Sequence, residues 1–511
     1  MNHWTSGYVA DIGYIYGYYT ELNPLRIRLA FLGAGFAPPE CATACELGFG
    51  QGVSVNVHAA ASDVRWFGTD FNPAQASLAR SMAAASGADA RLYDQSFAEF
   101  CRRDDLPDFD FIGLHGIWSW ISDENRGVIV DFVRRKLAVG GVLYISYNTP
   151  PGWSSMVPLR ELLTQHAEIM GAPGKGIVGR IDEAIAFADK VLATNPTYAR
   201  ANPMTAKLME KLKADNRRYI AHEYFNRDWL PMSVLRMADW LAPAKVAFAC
   251  SAHYLDHNEG LNLSAEQRAL LKDVPDPMFR ESVRDFIINQ RFRRDYWVRG
   301  ARRLAPLEQL EGLRATQVML VHARADVSLK VTASVGEATL QESIYGPILD
   351  ALADHRPRTL GQIEQAIKGR RIAFPQMVQA VTVLIGAGNV VPVQDEAVVS
   401  MARPRADKLN AYICDKARGA GDVTYLASPL SGGAISLSRV QQLFLLGSKE
   451  GRSTPAEWAS FAWQALSVQG QKILKDGKPL ESPSENLAEL TSQARAFGEK
   501  QLPILKSMQI A

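Results

Sequence analysis

From residue 41 to residue 147 the chain alternates short runs rich in apolar residues with longer amphipathic stretches. The runs at 41–47, 64–69, 90–93, 109–114 and 142–147 predict five strands. The last is apolar on both faces, as a central parallel strand covered by helices requires. Between them the spacing predicts helices over 53–60 and 73–85, the second opened by Asn72 before Pro73 and closed by Gly87. A further helix follows Ser122, with Asp123 and Glu124 in its first turn and Arg134, Arg135 and Lys136 in its last, matching the helix dipole at both ends. Gly140 and Gly141 are expected to stop it. This alternation predicts an α/β fold with a doubly wound, Rossmann-like sheet.

After residue 153 helical periodicity takes over, at 159–170, 181–193 and 204–219. Strand-like runs at 246–250 and 292–298 then supply two more strands, making a seven-stranded sheet interrupted by a helical insertion. Helices from Tyr345, at 360–367 and at 375–385, followed by a strand at 390–393, predict a winged-helix-like unit. Thr454-Pro455-Ala456-Glu457 is a capping box, and Ser482-Pro483 opens another helix. The expected division is 1–160 (catalytic, first five strands), 161–218 (insertion), 219–300 (completion of the sheet and regulatory domain), 301–400 (winged-helix-like) and 401–511 (α-rich). The uncharged run 373–393 is broken by Gln376, Gln379, Gly386, Gly388, Asn389 and Pro392, so it predicts a buried helix and strand rather than a membrane span.

Length and charge narrow the classes of function. A chain of 511 residues is enough for about three domains. Fifty-six Lys and Arg against 54 Asp and Glu leave +2, so no polyanionic partner such as nucleic acid is expected. Five scattered cysteines form neither a disulfide framework nor a zinc set, and the first twenty residues lack the pattern of a secretory signal. A cytoplasmic protein without a bound metal is expected. The arginines at 280, 284, 291, 293, 294, 299, 302 and 303 are interleaved with Glu281, Asp285 and Asp295, which predicts a solvated face or salt bridges between subunits.

In a doubly wound sheet ligands bind beyond the carboxyl ends of the strands, so the residues there carry the chemistry. After the first strand stands Glu46-Leu47-Gly48-Phe49-Gly50-Gln51-Gly52, a turn in which the backbone lets a ligand approach closely. After the second come Asp70, placed to accept hydrogen bonds from a ribose diol, and Phe71. After the third come Asp94, Gln95, Ser96 and Phe97, where a carboxylate or amide suits an adenine amino group and an aromatic ring suits stacking. A glycine turn with a ribose acid also describes nicotinamide and flavin proteins. Here the glycines read G-x-G-x-G rather than G-x-G-x-x-G, and Glu46 precedes them, which suits a cofactor with a cationic end and no phosphate: S-adenosylmethionine.

Four segments carry a resemblance: Glu46-Leu47-Gly48-Phe49-Gly50, His115-Gly116-Ile117-Trp118-Ser119-Trp120, Ser146-Tyr147-Asn148-Thr149-Pro150-Pro151-Gly152-Trp153 and His222-Glu223-Tyr224-Phe225-Asn226. Together they resemble class I S-adenosylmethionine-dependent methyltransferases that carry a methyltransferase regulatory domain, the group containing bacterial protein-lysine methyltransferases of outer-membrane proteins. The resemblance covers residues 1 to about 300, and the remainder in architecture only. Trp118 stands where the family often has tyrosine, and Ser154 where it often has histidine. The resemblance implies a homodimer, with the insertion mediating dimerisation and bordering the acceptor pocket. Methyl transfer to an amine needs alignment and a neutral nitrogen, whereas a hydroxyl acceptor needs a base. Aromatic faces favour both a sulfonium and a methylated ammonium. The expected catalytic set is therefore His115, as the candidate base, with Trp118, Tyr147 and Trp153; Trp118 is preferred over Trp120 for the pocket. Cofactor binding is expected from Glu46, Gly48, Gly50, Gly52, Asp70, Phe71, Asp94, Ser96, Phe97 and His115. Tyr14, Tyr16, Tyr18 and Tyr19 suit either a helix face covering the sheet or a lid. Protein lysine is the favoured acceptor. The alternatives are a hydroxyl of a glycan or small metabolite and, in another class, a non-catalytic S-adenosylmethionine sensor that binds DNA through 345–393.

Overall fold

The computed structural model describes residue 5, residues 7–10 and residues 12–511, so the first four residues of the 1–160 segment, Ser6 and Asp11 lie outside it. In chain order the first part comprises α1 (Pro24–Gly33), β1 (Thr43–Leu47), α2 (Val53–Ala61), β2 (Arg65–Thr69), α3 (Pro73–Ser86), β3 (Ala90–Tyr93), α4 (Phe97–Phe100), β4 (Phe109–Leu114), α5 (Asp123–Lys136) and β5 (Leu137–Asn148). Local chemistry sets the helix ends. The Asn72 side chain accepts from Ala74 N at the start of α3, Gly87 closes it in the left-handed region, and the Ser122 side chain accepts from Asn125 N at the start of α5. Gly140 and Gly141 do not stop α5, contrary to expectation. Leu137 already pairs with Phe109 in the sheet, and Arg299 donates to the carbonyls of Arg134 and Leu137, satisfying the helix end.

The insertion follows as α6 (Pro150–Trp153), α7 (Val157–Ile169), α8 (Gly176–Ala193), α9 (Thr197–Ala201), α10 (Met204–Ala214) and α11 (Arg217–Tyr224). The helix expected over 204–219 is split, because Asn216 caps α11 by accepting from Arg218 N. These helices enclose a core of their own around Trp153, Leu163, Ile181 and Met209. After α12 (Val234–Leu241) come β6 (Val246–Ser251), α13 (Glu259–Asn262), α14 (Ala265–Lys272), α15 (Pro277–Ile287) and β7 (Phe292–Arg299). The sheet order is β3-β2-β1-β4-β5-β7-β6, with β7 antiparallel to both neighbours and β1 to β5 parallel.

Next come α16 (Pro306–Ala315), β8 (Gln317–Leu320), β9 (Lys330–Ala333), β10 (Gly336–Thr339), α17 (Glu342–Ala351), β11 (Arg358–Thr359), α18 (Leu360–Ala366), α19 (Phe374–Gly386) and β12 (Val390–Pro392), with β11, β8 and β12 forming a small antiparallel sheet. The uncharged run thus becomes α19 and β12. Among the described residues no helix is long and apolar enough to cross a membrane. The remaining segment, opened by α20 (Glu396–Lys416), shares a core with α2 and α3: Val53, Val57 and Met82 pack with Val399, Leu409 and Leu426. His58 Nδ1 meets the Gly432 carbonyl at 3.1 Å, and Gln394 donates to the Ala61 carbonyl at 2.8 Å.

The arginine run divides: Arg302 and Arg303 are exposed, as expected, whereas several of the others are engaged inside the chain rather than between subunits. Arg293 is buried against Asp295, Asp285 and Glu281, Arg294 pairs with Glu21 at 2.5 Å, and Arg284 lies 3.4 Å from Asp256. These pairs tie β7 to α15 and to the segment before α1.

Candidate active site

A cleft opens at the carboxyl ends of β1, β2, β3 and β4, with about 1290 Å³ of space including its mouth. Its floor is the glycine turn after β1. Gly48 adopts φ +76°, and a Cβ there would come within 2.4 Å of Ile117 Cδ1, so no side chain fits. Asp70, 7% exposed, closes the turn: Oδ2 accepts from Gly50 N at 2.9 Å and Oδ1 from Asn72 N at 3.0 Å. With its amide turned to donate, Gln75 reaches Asp70 Oδ1 at 2.9 Å. Burial pushes the Asp70 carboxyl up to about 7 despite these donors. Behind the turn Glu46 is buried, its Oε2 has no partner, and burial with the nearby Asp70 charge holds its carboxyl well above the usual range.

Gly48, Gly50, Asp70, Phe71, Ser96, Phe97 and His115 all line this cleft. Other expected residues do not. Gly52 is the N-cap of α2, at φ +73°, and its missing Cβ makes room for Ala79, so it serves helix packing. Asp94 is turned outward and pairs with Arg80 at 2.6 Å; Gln95 lines the cleft instead, with its Oε1 buried and unpartnered. Strand alternation explains this exchange: adjacent side chains point opposite ways as β3 ends.

The expected catalytic aromatics are also redistributed. Trp118 is fully buried in the core below the sheet, its indole N–H directed at Met232 Sδ and its ring edge-on to Trp240, while Trp120 lines the cleft. The preference for Trp118 is corrected accordingly: a short turn over Trp118–Trp120 puts the two rings on opposite sides. Tyr147 is likewise buried and donates to Asp295 Oδ2 at 2.7 Å, as part of the Arg293 ion cluster. Trp153 belongs to the insertion core, with Arg291 stacked over it at 4.1 Å. Neither lines the cleft.

His115 does. Its Nδ1 lies 2.8 Å from Tyr144 Oη, and its ring stacks on Tyr19 with centroids 3.6 Å apart. Burial, reinforced by Arg294 and opposed by Glu21, pushes the imidazole down to about 4, so it is neutral and weakly basic near pH 7.

The far wall is a strap formed by the described part of residues 5–19, which is extended rather than the helix face considered above. Tyr14 and Tyr19 line the cleft, together with Tyr8, which meets Phe71 edge-on at 5.6 Å. Tyr18 faces away, between His58 and Tyr425, and its hydroxyl accepts from Ala434 N. Segment 222–227 clasps the strap. Val9 N donates to Asn226 Oδ1 at 2.9 Å, Arg227 N to the Gly7 carbonyl at 3.1 Å, and His222 Nε2 meets the Ile12 carbonyl at 3.0 Å. Tyr14 Oη donates to Glu223 Oε1 at 3.4 Å. Tyr8, Gln75, Gln95, Trp120, His222, Glu223 and Asp228 line the cleft without having been named as site residues. Of these, Gln95, Trp120 and the His222–Asn226 segment stood in readable motifs; nothing in the sequence singled out Tyr8, Gln75 or Asp228.

Known proteins resemble this chain at two levels. Residues 216–299 match a family described as a predicted methyltransferase regulatory domain. The uncharacterized protein sll1526 of Synechocystis is 39% identical over 513 residues, covering 99% of this chain and 100% of its own. The uncharacterized protein RP789 of Rickettsia prowazekii is 27% identical over 296 residues, 54% of this chain and 49% of its own. In three dimensions the chain is similar to PKMT2 from Rickettsia typhi, solved in complex with AdoHcy, with a TM-score of 0.70 at 16% identity, covering 97% of this chain and 99% of that one. The shared architecture is the Rossmann-like sheet of the methyltransferases.

Proposed function

The chain belongs to one family with sll1526 of Synechocystis and carries a methyltransferase regulatory domain, and from that premise we propose that its cleft binds S-adenosylmethionine and methylates a protein lysine. One observation carries the reading. Among the described residues, the cleft is lined by the carboxylates Asp70, Glu223 and Asp228 and by several aromatic rings, with no lysine or arginine. Such a wall repels a pyrophosphate and favours a cation, which argues for a sulfonium over a dinucleotide.

The residues present fit the cofactor. Glu46 Oε2 and Gln95 Oε1 are buried acceptors without partners, and S-adenosylmethionine brings an ammonium and an adenine amino group, both donors. Asp70 suits the ribose diol, Phe97 the adenine face, and Gly48 and Gly50 close approach of the amino-acid tail. When bound, the cofactor supplies a methyl group activated by its sulfonium. The protein's part is to align the acceptor and exclude water, which the strap of tyrosines and the Tyr19–His115 stack are placed to do.

His115, the candidate base for a hydroxyl acceptor, is held near 4 and is a poor one. The DNA-binding alternative has little to rest on beyond Gln376 and Gln379, which are exposed on α19 at a groove also lined by α1 and α16. A homodimer through the insertion is part of the proposal, supported by the exposed Ile169 and Met170 at the end of α7. Light scattering at micromolar concentration tests it, and a monomer would remove it. The acceptor class is tested by incubating the protein with lysate and methyl-labelled S-adenosylmethionine. Label on protein lysines, retained in part by His115→Ala, is expected; label confined to small molecules and abolished by His115→Ala would overturn the lysine reading.

A further inference from the structure

Glu223, on the last turn of α11, lines the acceptor side of the cleft, where Tyr14 lies between it and the glycine turn. Among the described residues it accepts one hydrogen bond, from Tyr14 at the long distance of 3.4 Å, and forms no ion pair. An ionised carboxylate offers about four acceptor positions, so most of its capacity faces the cleft. Arg291, the nearest cation that acts on it, donates to Tyr224 and stacks on Trp153 instead. Glu21 shows the contrast: it is a buried carboxylate of the same chain held in an ion pair by Arg294.

We infer that Glu223 receives the ammonium group of the methyl acceptor and takes its proton, so that the site selects cationic amines over hydroxyls. The inference rests on the methyl-transfer reading above and deepens it. The step balances: R–NH3⁺ and the Glu223 carboxylate become R–NH2 and a neutral carboxyl. The freed nitrogen lone pair forms the N–C bond while the C–S electron pair stays on sulfur. Once the methylammonium product leaves, the carboxyl returns its proton to solvent. Burial supports the exchange, pushing Glu223 up to about 7, where it can both hold and release a proton near neutrality. The groups facing it are Tyr14, Tyr8 and Tyr19 from the strap, Tyr219, His222 and Tyr224 from α11, and Arg291 before β7. The tyrosines are all raised and His222 is held near 4, so none of these changes charge between pH 6 and 8.

The test uses the full chain saturated with S-adenosylhomocysteine, with n-butylamine and n-butanol as probes in calorimetry. At pH 8 the wild type should bind n-butylammonium at least tenfold more tightly than n-butanol, and the preference should fall as pH drops below 7 and the carboxyl is protonated. Glu223→Gln keeps the acceptor for Tyr14 but should erase the preference and its pH dependence. Tyr14→Phe loses that hydrogen bond and should change the affinities for both probes by a similar factor, leaving the preference for the amine in place. Equal losses of that preference in both variants would show that the carboxylate merely pins the strap, and equal binding of the two probes by wild type would equally overturn the inference. If Glu223→Gln loses S-adenosylhomocysteine as well, Glu223→Asp, which keeps the charge, must retain the amine preference or the inference fails. Wild type that binds no S-adenosylhomocysteine would instead overturn the cofactor reading itself.

Discussion

At the donor end of the cleft the walls come from residues 48–97, from strand ends that adjoin in the parallel part of the sheet; at the acceptor end they come from 5–19, 115–125 and 222–228. The donor end is held by short-range bonds, such as Gly50 N to Asp70, while the acceptor end depends on contacts like Val9 to Asn226, 217 residues apart. Sheet geometry therefore fixes the first almost by itself. The second exists only once the regulatory segment has folded against the strap, and that is where substrate choice can vary while the donor site stays constant.

The largest effect expected from this contrast is at Asp70. Asp70→Ala removes the acceptor for the turn and for the ribose, and two charge-assisted hydrogen bonds at about 1.5 to 3 kcal/mol each predict a loss in S-adenosylhomocysteine affinity of about a hundredfold to ten-thousandfold. A change below threefold would break the assignment of the donor end. Next come the glycines. Gly52→Ala forces a Cβ to within 2.4 Å of Ala79 Cβ at φ +73°, and overpacking with left-handed strain should cost about 2 to 4 kcal/mol in denaturant unfolding. Gly50→Ala meets no atom closer than 3.9 Å and should cost less stability but more ligand affinity; the reverse order would show the two glycines misassigned.

The tryptophans separate core from cleft. Trp118→Phe should lower stability by about 1 to 3 kcal/mol and leave ligand affinity alone, while Trp120→Ala should weaken methyl transfer with a smaller loss of stability. Identical behaviour of the two would undo the correction made above.

The smallest effect is in protons. Asp70 is raised from about 3.8 to about 7, so the folded protein binds more protons than the unfolded chain between those values, and this group's contribution to stability falls as pH rises through that window and is flat above it. A ribose donating to Asp70 favours the ionised form. Ligand binding near pH 7 should therefore release a fraction of a proton, about half, read as a dependence of calorimetric heat on buffer ionisation. Proton uptake instead would contradict the role given to Asp70.

The donor end was legible because its signals are local: Gly48 and Gly50 mark a turn, and Asp70 follows the next strand. Even there, single-residue register was lost, so Asp94 was favoured where Gln95 faces inward. The acceptor end was legible only as motifs. His222-Glu223-Tyr224-Phe225-Asn226 stood out in the sequence, but its grip on Val9 and Ile12 is a tertiary contact without periodicity. Trp118, Tyr147 and Trp153 looked chemical because they flank strand ends, yet they are claimed by two cores, Trp118 and Tyr147 by one and Trp153 by that of the insertion. Aromatic residues serve packing and binding alike, and only the fold separates the two.

The central claim is that the cleft beyond β1 and β2 is a site for S-adenosylmethionine, and calorimetric titration of the full chain with S-adenosylhomocysteine, beside a matched titration with NAD, addresses it most directly. One saturable site per chain for S-adenosylhomocysteine, lost in Asp70→Ala, with no heat from NAD, is the result predicted. Saturable binding of NAD with none of S-adenosylhomocysteine would contradict it.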